Sequence, residues 1–224
     1  MIEIGRMPSL HVCLLLLSVA AGCVDAVAFL GAGVFPANMT GNSVVLALAL
    51  PQGGGGLPAL ALGCFCLGAA AGWRLVAAEK PGWSGRVSVA LLLATVLVLG
   101  SAGALALSGG HFLPWLLGAT AMAMGLQSAA VQQIGVPGVA TVFVTGTLTT
   151  GISRLVTTVR RRAGASLALP ANPWLPLLTW AAYFTGAILG GLHRVLPGGL
   201  PIALPGLLLA AAVLLAERAR RSSQ

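Results

Sequence analysis

The sequence predicts an all-α, polytopic membrane protein, a single transmembrane bundle of about six helices. Of its 224 residues, 58% are hydrophobic and 7% are charged, whereas a soluble domain carries roughly 25% charged residues. Several apolar stretches reach the ~20 residues that a helix needs to cross the hydrocarbon core. A soluble fold of this size could not bury so much apolar side chain, because chain size limits the surface that folding removes from water.

Six stretches are predicted to cross, and no linker long enough to separate domains interrupts residues 1–224. They run approximately from His11 to Gly33, Leu57 to Ala78, Val87 to Ser108, Leu113 to Ile134, Trp174 to His193, and Leu200 to Ala216. The first is similar to a secretory signal that ends at Cys23. Its apolar pattern continues to Leu30, which favours a membrane span over a cleaved leader.

Two further apolar segments, called the Thr-Gly segments below, are predicted to enter the membrane without a full crossing. The first runs from Phe35 to Leu50, is short for a span, and contains Asn38-Met39-Thr40-Gly41-Asn42. The second runs from Val139 to Val159 and contains Thr145-Gly146-Thr147-Leu148-Thr149. We expect both to be re-entrant or half-crossing.

The basic residues indicate the topology. They form short clusters between apolar runs: Arg74, Lys80 and Arg86; Arg154 and Arg160 to Arg162; Arg218, Arg220 and Arg221. With both termini cytoplasmic and neither Thr-Gly segment crossing, only Arg194 lies outside, as the positive-inside rule favours. If the first segment alone crossed, the cost would be an external Arg6, so a seven-span alternative stays open. The net charge of +8 thus indicates topology and anionic lipid rather than nucleic acid.

The two Thr-Gly segments hold matching places in two halves, about residues 11–108 and 113–216. Each half reads as a span, a Thr-Gly segment and two more spans. Three crossings per half would place the halves in opposite orientations, as an inverted repeat. Paired interrupted segments in inverted halves indicate a transporter site at mid-membrane.

Polar residues in and near these segments are the candidate site. Asp25 is the only acidic residue deep in a predicted span, where a charge costs roughly 3 kcal/mol on insertion scales. Thr40 or Asn42 is predicted to cap a half-helix starting at Ser43, and its free N–H groups and positive dipole end would face the bundle. The candidate ligand-binding residues are Asp25, Asn38, Thr40, Gly41, Asn42, Gln127, Thr145, Gly146, Thr147 and Thr149.

A structural reading of the same residues stays open. Asp25 could be protonated or could hydrogen-bond a neighbouring helix. Hydroxyl groups and small residues also serve ordinary helix packing, as the runs Gly68 to Gly72 and Gly186 to Gly191 are expected to do.

Neither an enzyme nor a metal site is predicted. His11, His111 and His193 fall at predicted span ends, and the sequence has no His-Glu-x-x-His motif or phosphate loop. Cys64 and Cys66 are two residues apart, so on a helix they point away from each other and cannot chelate one ion together. We expect no cofactor, metal or disulfide.

Two stretches of sequence resemble the YoaK family of bacterial inner-membrane proteins. They are Val24 to Leu30 with Ala37 to Asn42, and Gly125 to Val131 with Gly135 to Thr141 and Thr145 to Thr149. The resemblance covers nearly the whole chain and implies a multi-pass protein of the bacterial inner membrane. The domain of that family has no known function, so the resemblance implies no substrate or catalytic residue.

Two functions compete. The first is a small-molecule or ion transporter, or a channel-like protein, with its site between the Thr-Gly segments. The alternative is a membrane scaffold or assembly factor in which the same motifs pack helices. Transport predicts a water-accessible cavity containing Asp25 and both threonines, whereas a scaffold predicts that helix contacts seal them. The expected partners are the lipid bilayer and an unknown small molecule or ion, not nucleic acid.

Overall fold

A computed structural model describes residues 8–109, 114–142, 144–162, 172–192 and 200–222. In these ranges the regular structure is helical. The helices are α1 (Pro8–Ala32), α2 (Met39–Ala49), α3 (Gly56–Val76), α4 (Gly85–Leu107), α5 (Pro114–Ile134), α6 (Val144–Arg162), α7 (Leu175–Gly191) and α8 (Leu200–Arg221). A 3-10 turn, Leu50–Gln52, follows α2. The all-α prediction is confirmed.

The six predicted spans correspond to α1, α3, α4, α5, α7 and α8, with ends shifted by a few residues. Within the described part of the chain, α1, α3 and α4 are long and apolar enough to cross a membrane, and α7 is a shorter apolar helix. The last helix continues past the predicted end at Ala216 to Arg221. His111, Leu113, His193, Arg194 and Arg6 lie outside the described residues.

The bundle is built from two similar sets of helix pairs. The first helix, α1, packs against α7 and α8, while α5 packs against α3 and α4. The helix of each Thr-Gly segment lies on the helix that follows it, α2 (11 residues) on α3 and α6 (19 residues) on α7, and α4 meets α8. The main core forms where these sets meet, around the buried side chains of Leu14, Leu91, Met124 and Leu209.

At the α1–α7 crossing, each helix presents a glycine to the backbone of the other. A Cβ on Gly22 would overlap the carbonyl oxygen of Tyr183, and a Cβ on Gly186 would overlap that of Val19. Glycine permits this approach because it carries no side chain, which is how membrane helices commonly pack closely.

The α3–α5 crossing has the same construction. A Cβ on Gly125 would overlap the carbonyl oxygen of Phe65, and a Cβ on Gly68 would overlap that of Met122. The packing role predicted for the small-residue runs beginning at Gly68 and Gly186 is therefore confirmed.

The crossing helices run in the same direction. Gly186 meets Val19 and, one turn later, Gly190 meets Cys23, so α1 and α7 are parallel. If α2 crossed the membrane and α6 did not, these two helices would be antiparallel. With 11 residues, α2 is roughly 16 Å long at ~1.5 Å per residue, about half of a ~30 Å hydrocarbon core. The parallel packing agrees with six spans and disagrees with a crossing by α2 alone.

Several helix ends share one face, called the arginine face below. At the end of α5, Gln133 donates to the carbonyl oxygen of Glu79 at 2.7 Å. At the start of α4, Ser88 donates to the carboxylate of Glu217 in α8, which also pairs with Arg220 at 2.7 Å. This face therefore carries basic residues from three helices: Arg74, Arg86, Arg218, Arg220 and Arg221.

Candidate functional site

The first Thr-Gly segment enters the bundle as an extended stretch and leaves it as α2. Asn38 caps this helix, since its side chain accepts from the N–H of Gly41 at 3.0 Å. The prediction that Thr40 or Asn42 is the cap of a helix starting at Ser43 was therefore wrong. Because Asn38 supplies the cap, the helix begins at Met39, and Thr40 and Asn42 lie in its first turn.

Asn42 holds the extended stretch against α2. It is fully buried, accepts from the N–H of Phe35 at 2.8 Å and donates to the carbonyl oxygen of the same residue. The amide side chain of Asn42 therefore satisfies both the N–H and the carbonyl oxygen of Phe35, a residue that lies outside the helices. Backbone at this depth needs such a partner, because lipid supplies none.

The second Thr-Gly segment repeats this arrangement with a hydroxyl. Thr147 is buried, accepts from the N–H of Ala140 at 3.1 Å and donates to its carbonyl oxygen at 3.1 Å. The partner again lies seven residues upstream. The helix α6 starts at Val144, and residues 139–142 lie outside any helix.

Asp25 lies behind the start of α2 and is 2% exposed. One carboxylate oxygen accepts from the N–H groups of Ala37 at 2.7 Å and Asn38 at 3.4 Å. The other accepts from the hydroxyl of Tyr183 in α7. The carboxylate therefore stabilises a helix N-terminus, where a negative charge is favoured, and joins α1, α2 and α7.

One cavity of about 320 Å³ lies between the starts of α2 and α6. Thr40 lines it from the first half and Thr145 from the second, and both side chains are exposed. The other polar lining residues are Asn38, Ser128, Gln132 and Tyr183, and the apolar lining includes Phe65, Val142 and Val144. The two Thr-Gly segments therefore border one cavity that has both polar and apolar walls.

Comparison with known proteins identifies the family of the chain. A family model described as "Protein of unknown function (DUF1275)" matches residues 13–215. This chain belongs to the DUF1275 family. It is also 34% identical over 142 residues to the UPF0700 transmembrane protein YoaK of Bacillus subtilis (strain 168), as the sequence motifs predicted. That match covers 59% of this chain and 61% of the Bacillus protein.

The DUF1275 chain is a transmembrane protein, as its relative and its apolar helices both indicate. No solved structure matches it. The family has no known function, so the function of this chain is inferred from the arrangement of its side chains.

The other predicted site residues of this DUF1275 protein lie around the cavity rather than in its wall. Gln127 is fully buried and donates to the carbonyl oxygen of Leu17 at 3.0 Å and to the hydroxyl of Thr141 at 3.0 Å. It thereby ties α1 and α5 to the extended stretch before α6.

The remaining three candidates lie in the first two turns of α2 and α6. Gly41 lies beside the ring of Phe35, where a Cβ would be 3.1 Å from a ring carbon. The carbonyl oxygen of Gly146 accepts from Thr150 at 2.9 Å. Thr149 donates to the carbonyl oxygen of Thr145 at 3.1 Å.

The residues of the site that are absent from the sequence prediction include Tyr183, Ser128, Gln132 and Phe65. Tyr183 is the only tyrosine in the chain and lies inside an apolar helix. Its hydroxyl was therefore a candidate hydrogen-bond donor to Asp25, the only acidic residue deep in a predicted span. Ser128 follows Gly125 by three residues, as Asp25 follows Gly22. This correspondence depends on the equivalent positions of Gly22 and Gly125 in their helix crossings, which hydropathy alone does not show.

Proposed function

We propose that this protein is a small transporter or channel-like protein of the bacterial inner membrane, whose small-molecule or ion substrate binds between the starts of α2 and α6. The observation that carries the proposal is the shared cavity, lined by Thr40 from one half and Thr145 from the other. Interrupted segments from two halves that meet at one cavity are typical of transporter sites near mid-membrane.

The matched helix crossings support an inverted repeat. Gly22 and Gly125 hold equivalent places in α1 and α5, as Gly186 and Gly68 do in α7 and α3. With three crossings per half, equivalent helices have opposite directions. A pseudo-two-fold axis in the membrane plane would then pass through the cavity, since Thr40 and Thr145 are equivalent.

The lining suits a small solute. Its volume lies at the lower end of the ~300–1,000 Å³ range of ligand pockets, and such pockets typically combine apolar walls with a few polar groups. Here hydroxyl and amide groups from both halves stand beside apolar side chains.

The scaffold alternative has an observation in its favour. Asp25 and Asn42 are buried and hydrogen-bonded to neighbouring backbone, as expected of packing devices. A scaffold gives no reason for Thr40 and Thr145 to stay exposed on a common cavity, and this difference favours transport.

The orientation follows from the positive-inside rule. We propose that the arginine face is cytoplasmic and that both termini lie there. The expectations of no enzymatic activity, no cofactor and no nucleic-acid partner stay predictions.

Cysteine labelling tests the proposal without knowledge of the substrate. In a background with the four native cysteines replaced, Thr40→Cys and Thr145→Cys are treated with a charged thiosulfonate reagent in membranes open on both sides. Both should react rapidly, because a thiol must ionise in contact with water to react.

Two controls bracket this result. Val44→Cys lies one turn further along α2 on an exposed apolar face, and Ala121→Cys is fully buried in α5. Both should react slowly. If the two threonine positions react as slowly as these controls, the cavity is not water-filled and the scaffold function is preferred.

A further inference from the structure

The cavity between the starts of α2 and α6 has walls of hydroxyl, amide and apolar groups. Its polar lining residues are Asn38, Thr40, Ser128, Gln132, Thr145 and Tyr183. Among the residues that the structure describes, those that line the cavity include no acidic residue, lysine, arginine or histidine. An ion that entered would leave bulk water without meeting a counter-charge in the lining, and such a transfer is strongly unfavourable.

The carboxylate of Asp25 lies behind this wall rather than in it. It is 2% exposed and accepts from the N–H groups of Ala37 at 2.7 Å and Asn38 at 3.4 Å and from the hydroxyl of Tyr183. These three donors belong to residues of the lining, and they point to the carboxylate instead of to a solute. Asp25 is therefore a counter-charge for the start of α2 and not an open ligand for a cation.

The backbone at the start of α2 is also hydrogen-bonded within the protein. The carbonyl oxygen of Ala37 accepts from the N–H of Met39 at 3.1 Å, and that of Asn38 accepts from the N–H of Asn42 at 3.1 Å. The side chain of Asn38 accepts from the N–H of Gly41 at 3.0 Å. A cation would need such carbonyl oxygens and an anion such N–H groups. Because these groups already have partners, they are not open to either kind of ion.

The groups that face the cavity are side chains that can both donate and accept. The hydroxyls of Thr40 and Thr145 are exposed on the cavity, and each can donate one hydrogen bond and accept others. Gln132 donates to the hydroxyl of Ser128 at 3.5 Å, and its amide oxygen is a further acceptor. These groups match an uncharged polar molecule better than they match an ion.

The size of the cavity limits the solute. Its volume of about 320 Å³ corresponds to roughly ten water molecules at ~30 Å³ each. Phe65, Val142 and Val144 form part of the wall, so the carbon atoms of a solute would also find apolar contacts. A small molecule with a short carbon skeleton fits both the volume and the lining.

We propose that the cavity selects small uncharged solutes that both donate and accept hydrogen bonds, the chemistry of polyols and simple amides, and discriminates against ions of either sign. This inference rests on the proposed function and names the substrate class of the same site. The hydroxyls of Thr40 and Thr145 bind the solute from the two halves, and Gln132 and Ser128 extend the polar wall along α5.

Three methanethiosulfonate reagents test the charge preference of the cavity. They share one reactive group and carry a hydroxyethyl, a trimethylammonium or a sulfonate group. Thr40→Cys and Thr145→Cys proteins, in the cysteine-free background, are held in phosphatidylcholine nanodiscs, which leave both faces open. Each labelling rate is divided by the rate of the same reagent with free mercaptoethanol. At both positions the hydroxyethyl reagent should react roughly tenfold faster than either charged reagent, and the two charged reagents should react alike.

Two controls check the route and the reagents. Gln52→Cys is exposed in the 3-10 turn after α2, so the three normalised rates should be equal there. Val44→Cys lies on the exposed apolar face of α2 and should react slowly with the hydroxyethyl reagent too, because a thiol in lipid does not ionise. That result would show that the uncharged reagent does not reach the cavity positions through lipid.

A matched pair of variants separates charge from size. Gln132→Glu places a carboxylate in the wall, so the ammonium reagent should gain several-fold over the sulfonate reagent at Thr145→Cys. Gln132→Lys should shift the ratio the other way, because opposite charges attract and like charges repel across the cavity. If neither substitution changes the ratio, the charged reagents are excluded by size and the proposed selection against charge is wrong.

The remaining outcomes distinguish this inference from the proposed function. A normalised rate of the ammonium reagent above that of the hydroxyethyl reagent would show a cation site, and one of the sulfonate reagent would show that the start of α6 binds anions. Either result, or equal rates for all three reagents, would overturn the uncharged class and leave the shared site standing. Rates as slow as those at Ala121→Cys for all three reagents would overturn the proposed function itself.

Discussion

Tyr183 contacts α1 twice: its hydroxyl donates to the carboxylate of Asp25, and its carbonyl oxygen lies against Gly22, three residues earlier on the same helix. The close approach of the two backbones brings the tyrosine ring within reach of the carboxylate. Packing and polar chemistry at this crossing therefore depend on each other.

Asp25→Asn should preserve insertion and yield, because the amide oxygen can still accept from the backbone at the start of α2. Asp25→Ala should lower thermal stability in detergent, since it leaves buried donors unpaired at ~1–3 kcal/mol each. Melting temperatures of the purified variants check this. Equal loss of folded protein for both variants would mean that the charge itself is required for folding.

Alanine at any of the four crossing glycines, Gly22, Gly68, Gly125 and Gly186, should destabilise the protein. A Cβ at each would overlap a carbonyl oxygen of the facing helix, and such overpacking typically costs ~1–3 kcal/mol. Thermal unfolding in detergent measures the effect.

Gly63 supplies the control for these substitutions, since it lies in α3 with open space around it. Gly63→Ala should be neutral or slightly stabilising, because alanine is the better helix former. Similar losses for Gly63→Ala and Gly68→Ala would show that the crossing glycines have no special role.

Asn42 and Thr147 should be functionally matched. Thr147→Val keeps the side-chain shape but leaves the N–H and carbonyl groups of Ala140 without their present partner, and Asn42→Ala does the same to Phe35. Each substitution should lower the free energy of unfolding by ~1–3 kcal/mol. Each should also increase proteolytic cleavage of the stretch that precedes α2 or α6. If one loss is large and the other absent, the extended stretches before α2 and α6 are not equivalent.

The proposed orientation is checked with reporter fusions. A reporter active only outside the cytoplasm should give signal when fused at His111, and none when fused after Arg162 or after Gln224. Signal from a fusion at the N-terminus would contradict the orientation, since α1 would then start outside.

The number of helices was predictable from the sequence, and the partners of the polar residues were not. Hydropathy reports which side chains suit lipid, so the helices of the six predicted spans were located to within a few residues. It carries no information on which helices touch. The bond from Tyr183 to Asp25 spans 158 residues of sequence and depends on a glycine contact that only packing shows.

The meeting of the two Thr-Gly segments was predicted from their matching places in the halves, and Thr40 and Thr145 do line one cavity. The start of α2 was misplaced because several polar residues in succession could each cap a helix. Asn38 is the residue that caps α2, whereas the side chain of Asn42 is hydrogen-bonded to the backbone of Phe35.

The most direct test of the shared site is a crosslink between Thr40→Cys and Thr145→Cys in membranes. A short bifunctional thiol reagent should join them, because both side chains border one cavity. Glu79→Cys with Arg86→Cys, at two partly exposed positions whose side chains form an ion pair at 3.1 Å between the end of α3 and the start of α4, shows that accessible neighbours crosslink under the same conditions. Efficient crosslinking of both pairs is the predicted result. Crosslinking of the control pair without the threonine pair would contradict a common site and favour helix packing as the role of both segments.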